Sequence, residues 1–269
     1  MGLRPGTFSP LVPGGGLIKK TFETMRRTFL QPGFWCVLLA LVLPFSVLRA
    51  GNSNEVGGGG EGKNARKAAF AEEVTNLYEQ INLQEMGLTK KAFQYALKGY
   101  YYLLDHHWLN KTNIISICDL SQSSRNKRLY VLDLEQKKVL INTYVAHGRN
   151  SGKEYARSFS NNPSSHKTSL GFYVTQGTYY GNNGLSMKIR GLERGFNDRA
   201  NGRNIVVHGS QYVGPDFLQM NTFCGRSYGC PAVPSDESEE IIDTIKEGSC
   251  LFIYHPTKKY ISRSKILND

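Results

Sequence analysis

The 269-residue sequence predicts an α+β fold in which N-terminal helices pack on a β-rich core, built as a sandwich or a half-open barrel. Two observations support this prediction. Apolar residues first recur at spacings of three and four, as on one face of a helix, and this pattern ends near His106. Short runs rich in β-branched and aromatic residues then alternate with turn residues towards the C-terminus.

The first 50 residues have the composition of an export signal. Basic residues precede an apolar run over 34–48, and small or polar residues follow from Ala50 onward. A membrane span needs about 20 apolar residues. The shorter run therefore predicts a signal peptide or N-terminal anchor over 1–50, with Met25 as an alternative start. We expect an exported, periplasmic protein that contacts a membrane only through this anchor.

The rest of the chain divides into three parts. Residues 51–66 are rich in glycine and poor in apolar residues, which predicts a flexible linker. The helical pattern covers 67–110 and contains two helices, of which the second has Thr89 as its expected N-cap. Residues 111–269 form the β-rich body.

Seven runs of the body are predicted as strands, and the second and third are expected to form a hairpin. These runs cover 114–120, 128–134, 139–148, 170–177, 185–192, 204–209 and 250–255. One late helix is predicted over 236–247. Asp236 and Glu239 have the spacing of a capping box at its start, and Gly248 is expected to end it.

Charge and composition exclude some partners. The formal net charge is +11, and about half of it comes from the first 50 residues. The mildly basic body suits an anionic polymer such as a cell wall. It shows no zinc-finger spacing and no aromatic-basic RNA motif, so no nucleic acid is expected as a partner. Without grouped Cys, His or acidic residues, no metal or other cofactor is expected.

Residues 225–234, GRSYGCPAVP, contain two candidate nucleophiles, Ser227 and Cys230. Ser227 fits the G-x-S-x-G pattern of serine hydrolases, which requires a strand before the motif and a helix directly after it. Two prolines follow Cys230 where that helix would run. The serine interpretation is therefore disfavoured.

A cysteine nucleophile needs a base nearby, and His208 at the end of the predicted strand IVVHGS can supply it. A carbonyl in the turn formed by Gly209 and Ser210 is expected to hold one ring N–H. The backbone amides of 228–230 are expected to form an oxyanion hole and to lower the pKa of the Cys230 thiol. Strand-terminal histidines and Gly-Cys-Pro turns also occur for purely structural reasons, so these residues alone leave a structural interpretation open.

The segments IVVHGS and GRSYGCPAVP resemble the murein L,D-transpeptidase catalytic (YkuD-like) family, whose signature is H-x(14–17)-[S/T]-H-G-C. They are most similar to the branch that carries R-S-aromatic-G-C-P-A, and the likeness covers about 75–269. The resemblance implies a YkuD-like core and a cysteine enzyme that acts on peptidoglycan stem peptides. Such an enzyme attacks the bond between meso-diaminopimelate and terminal D-Ala, holds the donor stem as a thioester, and transfers it to an amine.

The resemblance also implies roles for individual residues. It makes Cys230 the nucleophile and His208 the general base and acid. The carbonyl of Gly209 would orient the imidazole ring. The amides of Tyr228 and Gly229, with that of Cys230, would face the oxyanion.

Further candidates concern substrate binding. Ser227 falls on the Ser/Thr of the signature, where its hydroxyl would brace the turn or contact the substrate. Arg149 or Arg226 would bind a carboxylate of the stem peptide. Ser210 and His147 are expected to line the same cleft.

The sequence departs from the signature at two points. Tyr228 replaces the second His, and 18 residues separate His208 from Ser227. The first change removes a second possible proton carrier but leaves the nucleophile and base intact, so it bears on substrate preference more than on catalysis. Residues 191–200 are expected to form a lid or wall of the site.

Two alternative functions remain at this stage. An L,D-carboxypeptidase would use the same thioester and resolve it with water. A non-catalytic protein would bind peptidoglycan without turnover. The sequence does not separate the first alternative from transpeptidation, because the shape of the cleft selects the acceptor.

Overall fold

The structure is a computed structural model that describes residues 61–269. The predicted export segment over 1–50 and residues 51–60 of the predicted linker lie outside the described residues. The remainder of that linker, 61–66, already belongs to a helix, because Glu, Lys, Ala and Arg in this stretch are good helix formers. In 61–269, no helix combines the length and the apolar character that a membrane crossing requires.

The described chain is a mixed α+β fold, as predicted. Its helices are α1 (Glu61–Gln80), α2 (Lys90–Asp105), α3 (Pro215–Met220), α4 (Ser238–Ile245), α5 (Lys258–Arg263) and α6 (Lys265–Asn268). Its strands are β1 (Ile114–Asp119), β2 (Leu129–Asp133), β3 (Lys138–Thr143), β4 (Gly171–Gly181), β5 (Gly184–Gly191), β6 (Val206–Ser210), β7 (Ala232–Pro234) and β8 (Cys250–Tyr254). All seven predicted strands are present, whereas β7, α3, α5 and α6 were not predicted.

The eight strands form one sheet in the order β3-β2-β1-β8-β4-β5-β6-β7. The pairs β1/β8 and β6/β7 are parallel and the others antiparallel, including the predicted hairpin of β2 and β3. Ala146, just beyond β3, donates its N–H to the carbonyl of Ala232 in β7 over 2.8 Å. The two edges of the sheet therefore meet here, as in a half-open barrel.

Helix α2 packs directly on the sheet. Its N-cap is Thr89, as predicted, and the Thr89 hydroxyl accepts the N–H of Ala92 at 3.2 Å. A Cβ at Gly99 would lie 1.9 Å from the ring of Phe172, so only glycine lets the helix approach β4 this closely. Phe172 in turn stacks on Phe252 of β8, with 4.1 Å between ring centroids.

The capping box predicted for the late helix is not formed. Helix α4 begins at Ser238, and its N-cap Glu237 makes no side-chain capping bond. Residues 235–237 form the turn that leaves β7, and the Ser238 hydroxyl closes this turn by donating to the Ser235 carbonyl at 2.8 Å. Asp236 therefore lies within this turn, one residue before the N-cap that the box required it to occupy.

The buried carboxylate of Glu193 holds the C-terminal helices against the sheet. It accepts the N–H of Phe172 and the hydroxyl of Tyr260, each at 2.8 Å, and also the hydroxyl of Ser264. The expectation that residues 191–200 form a lid or wall of the site is wrong, because none of them lines the cavity that contains the candidate site.

Replacing Glu193 with alanine is expected to destabilise the fold. Three buried donors would lose their acceptor, and each such loss costs about 1–3 kcal/mol, so the free energy of unfolding should fall by roughly 3 kcal/mol or more. Urea unfolding of the full chain measures this change, with Glu79→Ala on the exposed side of α1 as the control. A loss below about 1 kcal/mol would show that these bonds contribute little.

Candidate active site

A cavity of about 870 Å³ contains both candidate catalytic side chains, His208 and Cys230. His208 lies in β6 and pairs with Ala232 of the adjacent parallel strand β7, and Cys230 precedes Ala232 by two residues. The strand pair therefore brings together two residues that are 22 positions apart in the sequence. The rest of the cavity is lined by residues that include Arg149, Arg203, Asn204, Tyr212, Phe217 and Arg226.

The imidazole of His208 is held in one orientation. Its Nδ1 atom lies 2.9 Å from the carbonyl oxygen of Gly209, which is the hydrogen bond expected from the sequence. Because a carbonyl oxygen can only accept, Nδ1 must carry the hydrogen. In the neutral ring, Nε2 then has a free lone pair and can accept a proton.

The Cys230 thiol is partly exposed to the cavity, and its sulfur donates to the carbonyl of Asn204 at 3.7 Å. Desolvation by the surrounding protein raises the pKa of this thiol, against the opposing effects of the Val206 backbone, the Arg203 charge and the backbone of Cys230 itself. The expectation of a lowered pKa is therefore wrong, because desolvation outweighs all three. Cys230 rests as a thiol, and its proton must pass to a base when the sulfur reacts.

The turn over 227–230 is braced by Ser227. Its hydroxyl donates to the carbonyl of Cys230 at 2.6 Å and accepts the N–H of Gly229 at 3.0 Å. Gly229 has φ +128°, a conformation that favours glycine. Its N–H is occupied, so it does not serve as the oxyanion donor expected from the sequence. Within 61–269, the N–H groups of Tyr228 and Cys230 make no hydrogen bond, and they remain as candidates.

The glycines of the G-x-S-x-G pattern are explained by packing. A Cβ at Gly225 would lie 2.5 Å from the side chain of Tyr212, and Gly229 requires its positive φ. The pattern is followed by strand β7 rather than by a helix, and the hydroxyl of Ser227 is engaged within the turn. The site therefore lacks the features of a serine nucleophile elbow.

Two of the predicted substrate-binding residues have other contacts. The Arg226 guanidinium lines the cavity but donates to the carbonyls of Arg149 and Gly152, each at 3.3 Å. Ser210 lies outside the cavity lining, and its hydroxyl accepts the N–H of Tyr212 at 3.5 Å. Arg226 therefore lines the cavity as predicted, with Nη1 engaged by the protein, whereas Ser210 does not line it.

The prediction that His147 contacts substrate is wrong. Its side chain is 1% exposed and does not line the cavity. Burial and, secondarily, the charge of Arg128 lower the pKa of His147 to about 3. Its Nδ1 accepts from the Arg128 guanidinium at 2.8 Å, and its backbone carbonyl accepts the N–H of Ser227 at 3.1 Å. His147 therefore supports the Cys230 turn from behind.

Arg203 is a cavity residue that the sequence interpretation missed. Its guanidinium donates to the carbonyls of Ser160 and Lys167, at 3.0 and 2.7 Å, and to the hydroxyls of Ser165 and Ser169. It thus connects a distant loop to the cavity that holds Cys230. In the sequence, the only indication that Arg203 lies near the site was its position shortly before the strand that contains His208.

The arrangement combines a thiol, an imidazole with a free Nε2, two backbone N–H groups in a turn, and a cationic wall. These are the components of acyl transfer through sulfur, in which a base accepts the thiol proton and N–H groups stabilise an oxyanion. Across the described residues, no group of three or more His, Cys, Asp or Glu side chains could hold a metal ion.

Comparison with known proteins identifies a family. The family profile for the L,D-transpeptidase catalytic domain matches residues 84–254, which is more than half of the chain and includes His208 and Cys230. No curated protein sequence matches the chain.

Solved structures of similar fold include L,D-transpeptidases from three bacteria. The chain is similar to one from Mycobacterium smegmatis at 11% identity and a TM-score of 0.33, over 53% of this chain and 59% of that one. The chain is similar to one from Mycobacterium tuberculosis at 12% identity and a TM-score of 0.32, over 53% of this chain and 58% of that one. It is similar to one from Enterococcus faecium at 15% identity and a TM-score of 0.31, over 53% of this chain and 50% of that one. The chain thus spans about half to three fifths of each of these solved chains.

Proposed function

The chain belongs to the L,D-transpeptidase catalytic-domain family, and from this premise we propose that it is a cysteine transpeptidase of peptidoglycan stem peptides. Cys230 forms a thioester with a stem tetrapeptide, terminal D-Ala is released, and the stem is transferred to an amine. One observation above all supports this proposal: Cys230 and a His208 ring with a free Nε2 line the same cavity.

The first step is acylation. The Cys230 sulfur attacks the diaminopimelate carbonyl carbon, and the thiol proton moves to Nε2 of His208. Because burial raises the pKa of the thiol, this proton transfer has to accompany the attack. The N–H groups of Tyr228 and Cys230 stabilise the negative charge that develops on the carbonyl oxygen.

The tetrahedral intermediate then loses its leaving group. Nε2 of His208 returns the proton to the nitrogen of D-Ala, the carbon–nitrogen bond breaks, and the donor stem remains on sulfur as a thioester. The bond between Nδ1 and the Gly209 carbonyl keeps the ring in place while it carries a positive charge.

The thioester is resolved by an acceptor amine. The amine nitrogen attacks the carbonyl carbon, His208 takes one of its protons, and the carbon–sulfur bond breaks. The Cys230 thiolate regains the proton from His208. One amide bond has been exchanged for another, so no oxidant, reductant or energy source is needed.

The test is to incubate the purified full chain with disaccharide-tetrapeptide and identify the products by mass. We expect free D-Ala, a cross-linked dimer, and a protein adduct with the mass of the acylated donor stem. Tripeptide without any cross-linked product would identify an L,D-carboxypeptidase instead. Binding without D-Ala release or adduct would identify a non-catalytic peptidoglycan-binding protein and contradict the proposal.

A further inference from the structure

The cavity around Cys230 is lined by three arginines and, among the residues that the structure describes, by no acidic side chain. The arginines are Arg149, Arg203 and Arg226. Three cations without a nearby carboxylate attract an anionic ligand, because such a cavity concentrates field lines of one sign. The three guanidinium groups differ in how many hydrogen bonds they make to the protein, and a group with few such bonds is better able to bind a ligand.

Two of the three guanidinium groups are already engaged by the protein. Arg203 donates to two backbone carbonyls and two hydroxyls of the loop over 160–169. Arg226 donates to the carbonyls of Arg149 and Gly152. Both groups hold the walls of the cavity together, Arg203 through both of its Nη atoms and Arg226 through Nη1 alone.

The guanidinium of Arg149 is different. Within 61–269 it makes no hydrogen bond and no ion pair. Its carbon lies 5.7 Å from the ring centroid of Tyr228, whose side chain is 65% exposed. The ring of Tyr228 is itself packed against His166, with 4.5 Å between centroids. Arg149 thus rests on an aromatic face at the rim of the cavity, with its N–H donors unoccupied.

The backbone of Arg149 is fixed to the catalytic turn. Its N–H donates to the carbonyl of Ser227 at 2.8 Å, and its own carbonyl accepts from Arg226. The preceding residue, Gly148, forms an isolated bridge with Ser227. The backbone of Arg149 is therefore held against Ser227, three residues before Cys230, so the side chain starts from a fixed point beside the catalytic turn.

We propose that Arg149 binds an ionised carboxylate of the donor stem peptide and thereby makes the enzyme prefer free stems over amidated ones. This inference rests on the proposed function. A planar guanidinium with free donors suits bidentate binding of a carboxylate. The donor stem carries such groups on its terminal residue and on the diaminopimelate side chain, and Arg149 distinguishes either from the neutral amide.

The test compares kcat/KM for three donors: the free tetrapeptide, its terminal carboxamide, and its diaminopimelate side-chain carboxamide. A charge-assisted hydrogen bond contributes enough that the wild type should prefer the free donor over one of the amides by roughly 10- to 100-fold. In Arg149→Gln this ratio should fall to about 1, because the free donor loses activity and that amide does not. Arg149→Lys should retain part of the preference, since lysine keeps the positive charge but lacks the planar pair of N–H donors that binds both carboxylate oxygens.

Two control variants isolate the effect. Arg263→Gln removes the same charge from the exposed surface of α5 and should leave the preference unchanged. Arg226→Gln should lower activity on all three donors alike, because it loosens the turn. The inference is overturned if the wild type shows no preference, or if Arg226→Gln rather than Arg149→Gln removes it. A wild type that releases D-Ala from no donor overturns the proposed function, and this inference with it.

Discussion

Cys230→Ala is expected to abolish turnover. The variant lacks the atom that forms the thioester, and no other group in the cavity is placed to replace it. Because a nucleophile and its base act as a unit, loss of the nucleophile lowers kcat by on the order of 10⁴-fold or more. Release of D-Ala from disaccharide-tetrapeptide measures the loss, and mass spectrometry of the protein should show no acyl adduct.

Ser227→Ala is the matched control, since it changes the other candidate nucleophile of the same turn. It removes the bonds to Cys230 and Gly229, so a moderate loss is expected, equivalent to ~1–3 kcal/mol. Iodoacetamide should label Cys230 alone among the cysteines of 61–269, because the other three are buried. Donor substrate should protect it. Activity that survives in Cys230→Ala and disappears in Ser227→Ala would mean that serine is the nucleophile.

His208→Ala is expected to lower kcat by about 10²–10⁴-fold, the usual contribution of a general base. The loss should be large here because burial raises the pKa of the Cys230 thiol. Little of the sulfur is then ionised before the reaction, so the attack depends on a base that accepts the thiol proton. The substitution also leaves space next to Cys230. Added imidazole should enter it and restore part of the D-Ala release, with a rate that rises with imidazole concentration.

His166→Ala provides the comparison for this variant. His166 packs against Tyr228 but does not line the cavity, so its loss should change kcat by less than about 10-fold. Imidazole should have no effect on that variant. If His166→Ala proves as inactive as His208→Ala, the proton passes through a different imidazole from the one proposed.

The sequence predicted the architecture because seven of the strands are apolar runs separated by clear turn residues. Hydrophobic periodicity also identified α2 and its cap at Thr89. Strand β7 escaped this reasoning, because three residues that end in Pro234 carry no periodicity and pair only through the neighbouring β6. The capping box at Asp236 failed because another local bond, from the Ser238 hydroxyl to the Ser235 carbonyl, closes a turn there and the helix begins two residues later.

At the site, the sequence placed the residues but not their hydrogen bonds. The link from His208 to Gly209 was predictable because it is local, within one step of the chain. The burial of His147 and the contacts of Arg203 depend on loops far away in the sequence. The pKa of Cys230 was misjudged for the same reason, since burial of the thiol raises it and burial depends on the folded chain.

The parallel pairing of β6 with β7 has a consequence for how relatives of this chain can be found. Parallel neighbours need a long connection that leaves the sheet and returns, and residues 211–231 form it here. Insertions in this connection leave the register of His208 with Ala232 unchanged. The 18-residue gap therefore reflects the length of this connection rather than the chemistry of the site. A search pattern with fixed spacing would overlook such sequences, whereas two short motifs sought independently would recover them.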